Sequence, residues 1–170
     1  MLGVRHLPDA QIAFVDTPGL HRGHARALNR AMNRTAAAAL EDADLAVLVL
    51  EAGHWTEDDE HVLDRIRRAG RKTLAAVNKV DRLRSRERLR PYLAELARRH
   101  EFAEIVPLSA LKGHNVDALA RAIAKHLPES PPLFPAEQVT DRGRDFRIAE
   151  TIREKLTLEL DREVIGRAHV

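Results

Sequence analysis

Three short motifs carry residue types suited to holding a nucleotide: Asp16, Thr17, Pro18 and Gly19 (DTPG), Asn78 to Asp81 (NKVD), and Ser109 to Lys112 (SALK). Guanine presents a ring N–H and an exocyclic amine side by side, and the Asp81 carboxylate is placed to accept both. Adenine offers no such pair, so the carboxylate would go unpaired and adenine is disfavoured. Asn78 braces the loop and reaches the other edge of the base. The aliphatic stem of Lys79 covers one ring face. The backbone N–H of Ala110 is available to the guanine carbonyl, Ser109 holds that loop, and Lys112 lies over the second face. In DTPG, the Asp16 carboxylate suits Mg²⁺ held through water. Gly19 allows close backbone approach and N–H donation to a γ-phosphate, in a loop that changes shape when that phosphate leaves. Each motif alone also reads as an ordinary turn, because Asn, Asp, Pro and Gly are common turn residues.

Their placement favours the chemical reading. Residues 11–15 (QIAFV), 45–50 (LAVLVL), 73–77 (TLAAV) and 104–108 (EIVPL) read as strands. Helices are expected over 25–41, from a Thr56 cap to a Gly70 stop, over 85–99, and from Asn115 with Val116, Leu119, Ala120, Ile123 and Leu127 inward. This alternation predicts an α/β fold with a doubly wound, mostly parallel sheet, whose ligands bind at the carboxyl ends of the strands. DTPG, NKVD and SALK each follow a different strand at that end. Beyond them, HLPESPPLFPAEQ at 126–138 reads as a linker, and a basic amphipathic helix follows with Ala149, Ile152, Leu156 and Leu160 along one side.

Composition narrows the classes. Of 170 residues 44% are apolar and 32% charged, which suits a folded chain with a real core. With one Trp, one Tyr and four Phe, aliphatic side chains must fill that core. Zero Cys excludes disulfides and thiolate metal sites, and a cytoplasmic location is the expectation. No apolar run approaches the roughly 20 residues of a membrane span. The net charge is +2 and only five of 28 basic residues are Lys. That Arg bias reads either as coding composition or as phosphate and RNA contact. The nine His form no H-x-x-x-H pair, so no metal beyond Mg²⁺ is expected. His21 and His24 read as solvated loop residues, and Trp55 as a packing residue at a helix entry.

The motif set is that of P-loop GTPases, and the resemblance extends further. DTPGLH, NRAMNR, WTEDDE, AVNKVD, IVPLSALKGHNVDALA, KHLPESPPLFP and TDRGRDFRIAETIREKL together resemble the bacterial Era GTPase family over residues 2–163. TDRGRDFRIAETIREKL is the most specific piece and argues against a sibling translation-factor GTPase. The resemblance implies residues 1–127 as a partial GTPase domain, 128–140 as linker and 141–170 as the start of a KH-type RNA-binding domain. It implies GTP and GDP as ligands with Mg²⁺, and hydrolysis of GTP to GDP. Its implied partners are 16S rRNA and the small (30S) ribosomal subunit during ribosome biogenesis, through a KH domain, with peripheral association at the inner membrane and no DNA partner.

The sequence also departs from that pattern. It contains no Gly-Lys dipeptide, hence no G-x-x-x-x-G-K-[ST] phosphate loop. By resemblance that loop precedes the region matching residues 1–10, so Met1 reads as an internal start and MLGVRHLPDA as the end of the second family strand. The family's first strand would lie between the strands ending at DTPG and starting at Leu45. Without it two edges are left open and marginal stability is expected. No GXXG occurs, and VIGRAHV at 164–170 diverges. Leu20 follows DTPG where many GTPases carry a water-orienting Gln, so slow hydrolysis is expected. The alternative function is a non-catalytic guanine-nucleotide-binding module.

Overall fold

The computed structural model describes residues 2–16, 38–83, 85–141, 143, 146 and 148–156. Among the described residues the main strands and helices are, in order, β1 (Leu2–His6), β2 (Gln11–Val15), β3 (Ala46–Glu51), α1 (Glu57–Ala69), β4 (Thr73–Asn78), α2 (Leu89–Arg99), β5 (Glu104–Pro107) and α3 (Val116–His126). Of the helix expected over 25–41, residues 38–42 are helical and the rest lies outside the described residues.

The four strands expected from the apolar runs form where predicted, and β1 falls within MLGVRHLPDA, the segment that the resemblance reads as the end of a strand. Among the described strands the sheet is in two parts, and the break falls between β2 and β3, where two open edges were expected. β1 and β2 pair antiparallel, from Leu2 opposite Val15 to His6 opposite Gln11. β3, β4 and β5 form a parallel sheet with β4 in the middle. No hydrogen-bonded pairing joins β2 to β3, and Phe14, Val15 and Val49 on these two strands are exposed.

β4 is buried from Thr73 to Val77, as a central parallel strand covered on both faces must be. Its alternation sorts the core. Ala75 and Val77 pack with Leu48, Leu50, Leu63, Ile66 and Leu96 under α1 and α2. Leu74 packs with Ile12, Val106, Ala120, Ala122 and Ile123 under α3. Ile12 thereby ties the antiparallel pair to the parallel sheet through α3. Leu50, Leu63 and Leu74 are almost fully excluded from water, each worth about 1.5–3 kcal/mol of burial.

Local signals set the helix ends. Thr56 and Asp59 form a reciprocal capping box, with the Thr56 N–H donating to Asp59 Oδ2 at 2.8 Å and the Asp59 N–H to Thr56 Oγ1 at 3.2 Å. Gly70 stops α1 at φ 63°, a left-handed position that suits glycine. The helix expected from 85 begins as a 3-10 turn at Arg86–Arg88 and becomes α-helical at Leu89. Pro91 explains the delay: lacking an N–H, it is tolerated only in a first turn. Trp55 packs against the core, donates to Glu60 Oε2 at 3.1 Å and lies under the Arg99 guanidinium at 4.6 Å, a packing role at the helix entry.

The proline-rich segment is fastened to the antiparallel pair. Gln11 Oε1 accepts from the N–H groups of Leu133 and Phe134, both at 2.9 Å, and Gln11 Nε2 donates to the Phe134 carbonyl at 2.8 Å. Val4 donates to the Val139 carbonyl, Thr140 Oγ1 to the Leu2 carbonyl, and Gly3 bridges antiparallel to Thr140. Residues 148–156 are helical, and Ile152 and Leu156 on the apolar side expected from the sequence are exposed. Replacing Gln11 with Ala removes all three side-chain bonds to the strap, at a cost of about 1–2 kcal/mol. Limited proteolysis should then cut faster within 128–138, with the rest of the chain protected as before.

Candidate nucleotide-binding site

The site grows from the carboxyl ends of β4 and β5. Asn78 is the last residue of β4, and its side chain is committed to the backbone. Asn78 Oδ1 accepts the Lys79 N–H at 2.7 Å and the Ala110 N–H at 2.9 Å. One oxygen thus holds the NKVD and SALK loops together. The Asn78 carbonyl accepts the Ala52 N–H at 2.8 Å, which adds the β3–α1 loop. Further backbone bonds, Leu108 to Val77 and Val80 to Leu108, complete the joint.

Lys79 sits at φ 62°, in the left-handed region. For a side chain with a Cβ this conformation costs about 1–2 kcal/mol. The Asn78 bond to the Lys79 N–H offsets that cost and turns the chain into the 3-10 turn Val80–Arg82, which carries Asp81. The SALK loop is closed by two bonds between Ser109 and His114, each 3.0 Å, and by the Lys112 N–H donating to Ser109 Oγ at 3.2 Å. Asn115 adopts φ 57° and spends its amide on the Pro107 carbonyl at 2.9 Å rather than capping α3.

Ser109 is buried while Asp81 is exposed. The Ser109 hydroxyl donates to the Asp81 carboxylate. This bond, with a backbone N–H and the nearby Lys112 and Arg82 cations, holds the Asp81 carboxyl below its ordinary 3.8 despite the desolvation that opposes it. An acceptor-only carboxylate therefore faces solvent at the mouth of the loop pair, ready for two adjacent N–H donors.

The structure thus brings Asn78, Lys79, Asp81, Ser109, Ala110 and Lys112 together. It differs from the sequence expectation at Ala110, whose N–H already donates to Asn78. A base carbonyl would have to share that hydrogen or displace the Asn78 oxygen. Asp16 is exposed just beyond β2. Thr17, Pro18 and Gly19, with Leu20, His21 and His24, lie outside the described residues. Among the described residues no three His, Asp or Glu side chains gather as a metal cluster.

One participant was missed by sequence reasoning. Glu51 ends β3, stands opposite Asn78 in the strand register, and its Oε2 pairs with Lys79 Nζ. The Lys79 hydrogen bond is the leading cause that lowers the Glu51 carboxyl from its ordinary 4.5. Tyr92 Oη donates to the His54 carbonyl at 2.8 Å and reaches the Glu51 carbonyl at 3.3 Å, pinning the loop behind the pair. Burial first, then the acidic Asp59 and Glu95, push the Tyr92 hydroxyl up to about 12. The signal for Glu51 was its position as the first charged residue after the apolar run LAVLVL.

Comparison with known proteins places this geometry. Residues 5–129 match the family described as the elongation factor Tu GTP binding domain. GTPase Era of Azotobacter vinelandii is 48% identical over 164 residues, covering 96% of this chain and 55% of that protein. GTPase Era of Marinobacter nauticus is 46% identical over the same length. The chain thus spans about half the length of the curated relatives it matches. Among solved structures, a point variant of Aquifex aeolicus Era bound to GDP and AlF4⁻ superposes with a TM-score of 0.79 at 37% identity, over 91% of this chain and 53% of that one. Era in complex with MgGDPNP and nucleotides 1506–1542 of 16S ribosomal RNA gives a TM-score of 0.77 at 37% identity, over 84% of this chain and 49% of that one.

The Ser109 bond has a measurable consequence. A carboxyl whose folded value is depressed adds stability above its unfolded value, and loses it as pH falls through the lower folded value. Ser109→Ala should raise the Asp81 value toward 3.8 and narrow that acid window. Carbon-detected NMR titration of the Asp81 carboxyl checks the shift; an unchanged midpoint counts against the bond.

Proposed function

The chain belongs to the elongation factor Tu-type GTP-binding domain family as a homologue of the Era GTPases, and from that premise we propose that it supplies the guanine-reading part of an Era-type GTPase. The carrying observation is the joint at Asn78, whose Oδ1 holds both base-reading loops at 2.7 and 2.9 Å. In this reading Asp81 accepts the ring N–H and amine of guanine, the Lys79 and Lys112 stems flank the ring, and Ser109 steadies the Asp81 carboxylate. The base carbonyl competes with Asn78 for the Ala110 N–H.

The full activity we propose is hydrolysis of GTP to GDP and phosphate, coupled to work on the small ribosomal subunit in the cytoplasm. Support comes from the likeness to an Era bound to 16S ribosomal RNA and a GTP analogue. The donor chemistry at Asp16 fits a Mg²⁺ that takes one or two carboxylates and completes its shell with water and phosphate. Asp16 would hold it through water, and the ion would neutralise phosphate charge.

A second reading has its own observation. These 170 residues contain no Gly-Lys phosphate loop. By themselves they support recognition of the base rather than phosphoryl transfer.

Calorimetric titration of the chain with GDP, IDP and ADP tests the base reading. GDP should bind saturably, IDP, which lacks the exocyclic amine, more weakly, and ADP not measurably. Asp81→Ala should weaken GDP about tenfold or more, since hydrogen bonds to a charged acceptor are the strong ones. Equal affinities for GDP and ADP would falsify the assignment.

A further inference from the structure

We propose that Glu51 is a positioning residue for guanine recognition, acting through Lys79; the proposal rests on the base-reading role given to the NKVD loop. Lys79 has a long flexible side chain, and its usefulness as a wall for a flat ring depends on where that stem spends its time. Free in water, it would lose rotamer freedom on every binding event, and that loss weakens binding.

The structure removes part of that loss in advance. The parallel register sets Glu51 opposite Asn78, one residue before Lys79, and Glu51 Oε2 holds Lys79 Nζ. The backbone supports both partners. Lys79 is held left-handed at φ 62° by Asn78, and the Glu51 carbonyl accepts from the His54 N–H at 3.1 Å and the Tyr92 hydroxyl at 3.3 Å. Gly53 at φ 79° makes that turn, where an added Cβ would meet Leu83 at 3.1 Å. His54 and the Arg82 guanidinium also lie near the Glu51 carboxylate. With its ammonium held at one end and its Cα at the other, the Lys79 stem is a prepared surface. Glu51 makes no contact with the base in this scheme.

Both side chains are about 40% exposed, at 39% for Glu51 and 41% for Lys79. The effect is therefore that of a part-exposed ion pair, about two- to fivefold in affinity. The wall role also predicts indifference to the exocyclic amine, which only Asp81 reads.

The test is a double-mutant cycle on the full 170-residue chain, titrated with GDP and IDP. Glu51→Gln should weaken both ligands by the same factor of about two to five. In a Lys79→Met background the same change should have no further effect. A Glu51→Gln effect that persists without Lys79, that differs between GDP and IDP, or that is absent overturns the proposal. If the unsubstituted chain fails to prefer GDP over ADP, the base-reading assignment itself falls and takes this proposal with it. A ligand-free measurement guards against a misfolded variant: Lys79→Met should return the Glu51 carboxyl toward 4.5 by NMR titration, and an unmoved midpoint also overturns the pairing.

Discussion

One carbonyl oxygen holds the candidate site together. Asn78 Oδ1 takes backbone N–H groups from Lys79 and from Ala110, on loops that follow different strands. A carbonyl oxygen has two lone pairs, so this geometry uses its full capacity. Asp in place of Asn would offer the same acceptor but would add a charge, and the longer arm of Gln would reach beyond the turn. The candidate base-reading residues are positioned relative to that oxygen. Lys79 is turned left-handed beside it, Asp81 rides the 3-10 turn after it, and Ser109 and Lys112 sit on the loop it anchors.

That oxygen stays where it is because β4 does. The strand is buried on both faces, with aliphatic clusters under α1 and α2 on one side and under α3 on the other. Close-packed interiors respond to a single methylene, so the end of such a strand is among the least mobile points a fold can offer. The loops beyond it inherit that rigidity through backbone bonds to Leu108 and Ala52. The chain thus joins a dry, aliphatic frame to a wet, charged rim, and the change occurs within one residue, between Val77 and Asn78.

The rim is organised by charge rather than by burial. A hydroxyl is the leading cause that lowers the Asp81 carboxyl, and an ammonium the leading cause that lowers Glu51. Neither carboxylate is deep, so solvent and salt temper both effects. Their value lies in geometry: each fixes the direction in which a neighbouring side chain points. Away from the rim, the strap that runs from the proline-rich segment to Thr140 uses Gln11 as its principal tie, and links the antiparallel pair to whatever follows it in the chain.

Much of this was legible in the sequence, for reasons local in range. The apolar runs at 11–15, 45–50, 73–77 and 104–108 name strands because short apolar runs bounded by turn residues favour extended chain, and at 73–77 the run is continuous because that strand is buried on both faces. Thr56, Asp59 and Gly70 name helix ends because capping is a matter of three or four neighbouring residues. NKVD and SALK suggested a guanine corner because the carboxylate, amide and lysine types match the base's edge and faces, and the structure brings those two loops together. Other features needed the tertiary structure. The Glu51–Lys79 pair depends on the parallel register of β3 and β4, which no local pattern encodes. The Ala110 bond to Asn78 depends on two loops meeting across strands. The docking of the proline-rich strap through Gln11 and Thr140 depends on contacts between residues more than a hundred positions apart. Residue types and short spacings decided which chemistry is available; long-range backbone pairing decided which side chain stands beside which.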